Sequence, residues 1–281
     1  MDNLFPVYKN NKWGYIDKNG KLVINPQFVW CDNFSEGLAL VNCPDFRGKP
    51  NLGYIDKTGT MAISPQYGMA YYFSEGLAGV LIERKYGFID KAGKCLVEPK
   101  FDRIGKFMQG MAMVEMGNGW RYIDRSGKYV IKPKFLRATD FSEELALVGG
   151  SGGAYPQFGY IDKTGKYLVT PEFIEASPFS EGLAAVRLGK KWGFINKTGK
   201  VAINPQFEGI GSFSEGLAAV LVGGKWGFID KTGRIAISPQ FKVPSIFSGG
   251  LSIIEDISKE GIINGIGYID KKGNWVWDLQ D

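Results

Sequence analysis

Residues 184–217 read AAVRLGKKWGFINKTGKVAINPQFEGIGSFSEGL, and the next 34 residues, 218–251, read AAVLVGGKWGFIDKTGRIAISPQFKVPSIFSGGL. Two near-copies in direct succession constrain the fold more than any composition does. They are one structural unit used twice, and a unit this short buries its apolar face only by stacking on its neighbours. The aromatic before the Ile-Asp step marks the remaining copies. These anchors are Tyr15, Tyr54, Phe88, Tyr122, Tyr160, Phe194, Phe228 and Tyr268, spaced by 39, 34, 34, 38, 34, 34 and 40 residues. The period runs from end to end without a linker. It predicts one array over 1–281, with units at about 1–38, 39–77, 78–111, 112–145, 146–183, 184–217, 218–251 and 252–281.

Within a unit the pattern predicts three antiparallel strands. In repeat six these are Leu183 to Leu188, rich in small residues, then Lys191 to Asn196, then Lys200 to Ile203. The Asp-Lys-x-Gly step between the second and third strands is a reversal. Its Gly takes positive φ, and its Asp (Asn196 in repeat six) accepts backbone N–H groups. A proline such as Pro205, which has no ladder donor to offer, closes the third strand. A crossing segment then carries two aromatics, Phe207 and Phe213, recurring as Phe28 and Phe34, Tyr67 and Phe73, and Phe101 and Phe107. They are expected to fasten that segment over the sheet. The fold class predicted is all-β: eight three-stranded antiparallel units in a curved or superhelical open array, or alternatively a closed eight-bladed β-propeller.

Repeats two, five and eight are longer, each between its first and second strands, and their anchors are 106 and 108 residues apart. Insertions at one point of a repeat lie on one edge, often the binding edge. This three-repeat spacing is what favours the open superhelix among the expectations, since it would align the three loops. The same repeats break the Trp rule two before the anchor: Leu52, Phe158 and Ile266 stand where the short repeats have Trp13, Tyr86, Trp120, Trp192 and Trp226. A large aromatic that accompanies the tight turn points to a packing role.

The absences narrow the chemistry. There is no histidine, which removes Ser-His-Asp and Cys-His catalysis and His metal ligation. Cys31, Cys43 and Cys95 are scattered with no CxxC, which predicts free thiols in a reducing compartment. No apolar run is long enough for a transmembrane helix, and the N-terminus lacks an apolar leader region, so a cytoplasmic location is expected. The repeated carboxylates Asp17, Asp56, Asp90, Asp124, Asp162, Asp230 and Asp270 fall one per unit, too far apart for a catalytic pair, and an Asx turn accounts for them. Beside them runs a series of basic residues, from Lys18 and Lys57 to Lys231 and Lys271. With a formal charge of only +5 and an Asp next to each, they read as solvated turn residues, and nucleic acid is not the expected partner. Ser-Glu-Gly steps such as Ser35-Glu36-Gly37 read as turns or one-residue caps, since no base stands by to activate the serine.

The residues Lys12-Trp13-Gly14-Tyr15-Ile16-Asp17-Lys18-Asn19-Gly20, then Pro26-Gln27-Phe28 and Phe34-Ser35-Glu36-Gly37-Leu38, with their later counterparts, resemble the WG (KWG) repeat family of bacterial proteins. The resemblance covers essentially the whole chain. It implies a modular binding or scaffolding element and supplies no catalytic residues. The expectation is therefore a non-enzymatic protein-binding module without cofactor or metal, acting through its loop-bearing edge. Phe46, Arg47, Lys49, Tyr155, Gln157, Ile257, Lys259 and Ile262 are its candidate contacts. The alternative is a carbohydrate- or envelope-binding module stacking sugars on Trp30, Tyr71, Tyr155, Trp275 and Trp277. Insertion into a membrane is not expected.

Overall fold

A computed structural model describes residues 4–44, 48–49, 51–150, 157–257 and 263–277. The chain resolves into two compact bodies, Met1–Phe141 and Ser142–Asp281. Each is built from small antiparallel meanders, one per repeat.

In the N-terminal body the first sheet is Phe5–Lys9, Lys12–Ile16 and Leu22–Phe28, and the third is Leu77–Ile82, Lys85–Asp90 and Cys95–Phe101. The second and fourth gain a two-residue strand from the crossing segment. They run Trp30–Cys31, Ala39–Asn42, Leu52–Ile55 and Met61–Tyr67, and Arg103–Ile104, Met111–Glu115, Trp120–Asp124 and Tyr129–Phe135. The C-terminal body repeats the scheme. Its sixth sheet is Leu183–Leu188, Lys191–Asn196 and Val201–Phe207, and its seventh and eighth again carry the short extra strand, at Gly209–Ile210 and Phe247–Ser248. A three-stranded unit with an irregular crossing segment is thus completed by a strand too short to show any alternation in sequence.

The predicted turns are present in all eight repeats. Gly20, Gly59, Gly93, Gly127, Gly165, Gly199, Gly233 and Gly273 have φ between +80° and +87°. The third strand is not regular. In repeat six Trp192 pairs with Phe207 and Phe194 with Ile203, so extra residues bulge out around Pro205. This bulge explains the Trp-Gly step. A methyl group on Gly193 would stand 2.6 Å from the Ile203 carbonyl oxygen and 2.9 Å from the Pro205 nitrogen, closer than any real side chain stands. Gly14, Gly53, Gly87, Gly159 and Gly227 meet the same obstruction. In repeat four Arg121 occupies this step with the same pairing shift, and nothing in the structure explains its tolerance.

The cores lie between consecutive sheets. Phe194, Ile203, Phe207 and Phe213 pack on Ala218, Val220 and Ile229 of the next repeat, and Tyr54, Ile63, Tyr67 and Phe73 pack likewise on Ala78, Val80 and Ile89. In these joints one repeat offers a trailing face, built on its anchor aromatic, and the next a leading face, built on an Ala, a Val and an Ile. The crossing segment is fastened as expected. Phe34, Phe73, Phe107, Phe141, Phe179, Phe213 and Phe247 sit 4.7–5.0 Å from the anchor ring of their own repeat, in tilted or edge-on geometry. In repeats one, two, four and five the anchor Tyr hydroxyl donates to a crossing-segment carbonyl seventeen residues on: Tyr15 to Asp32, Tyr54 to Tyr71, Tyr122 to Thr139 and Tyr160 to Ser177, at 2.7–2.8 Å. That bond satisfies a hydroxyl buried among apolar groups.

Candidate binding surfaces

The turn carboxylates are committed locally. Asp56 Oδ1 accepts the Thr58 N–H at 2.9 Å, the Thr58 hydroxyl at 2.6 Å and the Thr60 N–H at 3.1 Å. Asp124, Asp162 and Asp230 form the same network. The Thr or Ser hydroxyl and the turn N–H groups hold these carboxyls below the ordinary range. Asn196 uses its amide oxygen in the same three bonds, so the site needs an acceptor and no charge. These groups are turn fixtures, as the sequence predicts.

The Ser-Glu-Gly step does more than the local turn expected of it. Its Ser and Leu do close a tight turn, as in Ser214↔Leu217, with Glu215 at φ +52°. The side chains, however, reach into the next repeat. Ser35, Ser74, Ser142, Ser180 and Ser214 donate their hydroxyls to Phe73, Phe107, Phe179, Phe213 and Phe247 carbonyls at 2.7–2.8 Å. Glu36, Glu75, Glu143, Glu181 and Glu215 accept the N–H of Gly76, Gly110, Gly182, Gly216 and Gly250. The same carboxylates pair with turn lysines of the repeat after that: Lys91 with Glu36, Lys197 with Glu143, Lys231 with Glu181 and Lys271 with Glu215, at 2.9–3.2 Å. The reading of these lysines as merely solvated is corrected: they close a clamp between repeats. Met108-Gln109 replaces Ser-Glu in repeat three, and Gly249 replaces the Glu in repeat seven.

One carboxylate is held differently. Asp140 accepts the backbone N–H of Lys106, and burial pushes it up to about 6 against the opposing pull of the Lys106 ammonium. Its Oδ1 has no hydrogen-bond partner and lies against Gly105, where a methyl would come within 2.2 Å. The Lys106 ammonium donates to the Tyr72 hydroxyl at 3.0 Å.

The three insertions sit where the sequence places them, in the hairpin between first and second strands. They follow Ala39–Asn42, Ala146–Gly150 and Leu251–Ile257 and precede Leu52–Ile55, Gln157–Ile161 and Ile263–Asp270. Of the candidate contacts, Lys49 and Gln157 are exposed, and Ile257 ends its strand. Phe46, Arg47, Tyr155, Lys259 and Ile262 lie outside the described residues, as does any distance among Phe46, Tyr155 and Ile262. The aromatics of the sugar reading are exposed where described: Trp30 on the second sheet, Tyr71 beside the third, Trp275 and Trp277 on the eighth. Tyr71 stacks on Tyr86 at 5.9 Å and tilts by 38°. The short-repeat aromatics Trp13, Tyr86, Trp120, Trp192 and Trp226 are half-buried, in keeping with a packing role. No helix among the described residues is long and apolar enough to cross a membrane.

The model of the WG containing repeat matches seven segments: 13–43, 53–86, 86–120, 120–149, 158–192, 192–226 and 226–256. A search of curated proteins finds no match. Among solved structures the chain is similar to KlHsv2 with loop 6CD replaced by a Gly-Ser linker. That likeness has a TM-score of 0.51 at 9% identity and covers 88% of this chain and 94% of that one. It is also similar to the β-propeller domain of the Trilobed protease from Pyrococcus furiosus, with a TM-score of 0.47 at 10% identity, covering 91% and 100%. The eight repeated meanders and the first of these likenesses make the fold an eight-bladed β-propeller, the alternative that the sequence allowed. The open superhelical array gives way to it. Long and short repeats share the three-stranded meander and the same face-to-face packing, so the three-repeat period lengthens the first hairpin without changing that meander.

Proposed function

Because the chain belongs to the family of WG containing repeat proteins, we propose that it is a non-catalytic binding module that grips a protein partner through the hairpin edge carrying its long loops. The observation that carries this reading is the placement of the insertions. In repeats two, five and eight alone the first hairpin is extended, always at the same strand ends, while the pairing beneath is regular in repeats two and five and shifts only between Asp256 and Ile257 in repeat eight. A rigid scaffold that varies only its loops is the usual way a repeat protein acquires a partner. The fate of the carboxylates supports the absence of catalysis. The turn Asp and the clamp Glu residues have partners that hold the fold, and the chain has no histidine to activate a nucleophile.

The test is affinity capture from the native cell with the full chain and with three variants, each with one long hairpin cut to the two-residue turn of a short repeat. A protein retained by the full chain and released by one or more trimmed but folded variants supports the reading. Equal retention by all three trimmed variants overturns it. A sugar site predicts something different: glycan binding lost on Trp30→Ala or Tyr71→Ala and indifferent to loop trimming.

A further inference from the structure

The residue directly before the crossing-segment phenylalanine changes in kind along the chain. It is Asn33, Tyr72, Lys106 and Asp140 in repeats one to four, then Pro178, Ser212 and Ile246. The phenylalanine that follows is buried or half-buried each time, so the position is held on a fixed piece of chain. A proline, a serine and an isoleucine fill the same place in repeats five to seven, so the fold itself does not ask for a polar group there.

Within the N-terminal body the four side chains form a row. The Lys106 ammonium donates to the Tyr72 hydroxyl at 3.0 Å and stands 5.5 Å from the centre of that ring. The Tyr72 hydroxyl and the Asp140 carboxylate hold the Lys106 proton on, against the pull of burial. On its other side Tyr72 shares a cavity of about 240 Å³ with Asp32, Asn33, Phe34 and Ser35. The Ser35 hydroxyl is committed to the Phe73 carbonyl, and Asp32 Oδ1 accepts the Asn33 N–H. That leaves the Tyr72 O–H, two N–H groups of Lys106, the Asn33 amide and the second Asp32 oxygen without hydrogen-bond partners among the described residues. Asp140 adds a destabilising feature, an unpartnered Oδ1 against Gly105. Groups held at such a cost gather where a site needs their charge.

We propose that Asp32, Asn33, Tyr72 and Lys106 form a binding site for a small zwitterion, a free amino acid, with Asp140 as the positioning residue behind Lys106. The ligand carboxylate takes the donors of Lys106, Tyr72 and Asn33, and its ammonium takes the open Asp32 oxygen. Charge selects this class. One ammonium shares the row with two carboxylates, so a bare anion gains little there, a dianion is repelled, and a bare cation meets Lys106. The cavity is smaller than the roughly 300–1,000 Å³ of pockets for larger organic ligands, which suits a single small molecule lying against the Tyr72 and Phe34 rings. The site uses none of the long hairpins, so it stands or falls apart from the loop-edge reading.

The experiment is saturation-transfer NMR titration of the full chain with each common L-amino acid singly, up to about 10 mM. The 2-hydroxy acid and the amine corresponding to the tightest of them follow, and then inorganic phosphate. At least one amino acid is expected to bind, and its 2-hydroxy acid, its amine and phosphate to bind at least about tenfold more weakly. Lys106→Met is expected to lose at least about tenfold in affinity and Asn33→Ala, on an exposed side chain, about fivefold, with thermal melting of each to verify folding. Ser212→Ala, at the equivalent position of repeat six, is expected to bind as the native chain does. Three outcomes overturn the proposal. One is no binding by any amino acid over the range. Another is a 2-hydroxy acid or phosphate that binds as tightly, which would make this a plain anion site. The third is native affinity in the folded Asn33→Ala or Lys106→Met variant.

Discussion

Replacing Asp140 by Asn tests the most unusual group in the fold. Burial holds its proton up to about pH 6, against 3.8 for an ordinary aspartate. A carboxyl whose pKa is raised in the fold adds stability that is fully present below about pH 4 and is lost as pH climbs through 6. Above that, the folded chain carries an ionised carboxylate whose Oδ1 has no hydrogen-bond partner. The roughly hundredfold change in protonation equilibrium corresponds to about 3 kcal/mol, taken as a ceiling because the residue is only part-buried. The side-chain amide introduced by Asp140→Asn cannot ionise, and its oxygen can still accept the Lys106 N–H. Urea unfolding of both proteins at a series of pH values isolates this group, because every other titration cancels in the difference. The variant should match the native protein near pH 4 and exceed it by up to about 3 kcal/mol at pH 7. A difference that stays flat across that range would refute the assignment of the raised pKa to Asp140.

Asp162→Asn should leave stability within about 0.5 kcal/mol, since Asn196 already makes the same turn, whereas Asp162→Ala should lose about 1 kcal/mol with its three bonds. Equal losses in the two variants, read by chemical denaturation, would mean that the charge matters. Glu181→Ala removes the acceptor for Gly216 and the partner of Lys231 and should cost about 1 kcal/mol, with less than half recovered in high salt because the N–H bond is the larger part. Gly193→Ala should cost upwards of about 2 kcal/mol by forcing the third strand away, while Arg121→Gly, at the same step of repeat four, should move the melting midpoint little. A mild Gly193→Ala would show that the strand yields in both repeats.

What could be read in advance were the features whose cause is local. The Asp-Lys-x-Gly reversals need only their own four residues, and the two aromatics of the crossing segment pack on an anchor within the same repeat. The clamps were not legible, because Glu181 and Lys231 are 50 residues apart and meet only once two sheets are stacked. Taken alone, Ser-Glu-Gly shows a turn and no more. The glycine of the Trp-Gly step was equally opaque: the carbonyl that excludes a side chain belongs to a bulge ten residues later, and a bulge leaves no trace in an alternating pattern. The short strand at Gly209–Ile210 is two residues long, below the length at which alternation exists. Loop length identifies an edge and leaves the individual side chains of the candidate contacts open.

The half-and-half construction of every joint has a consequence for how the chain breathes. Within each body an interior repeat, such as two, three, six or seven, is held on both faces, so it cannot open without parting two apolar contacts. Repeat one leaves Phe5 exposed and Val7 and Ile16 half-buried, and repeat eight leaves Ile253, Trp275 and Trp277 exposed. Amide hydrogen exchange under native conditions should therefore follow position along the chain, not strand length or composition. The slowest amides belong to the second strands of interior repeats such as Lys191–Asn196, and the fastest ladder amides to Lys12–Ile16 and to Ile263–Asp270, although the last of these is the longest strand of all.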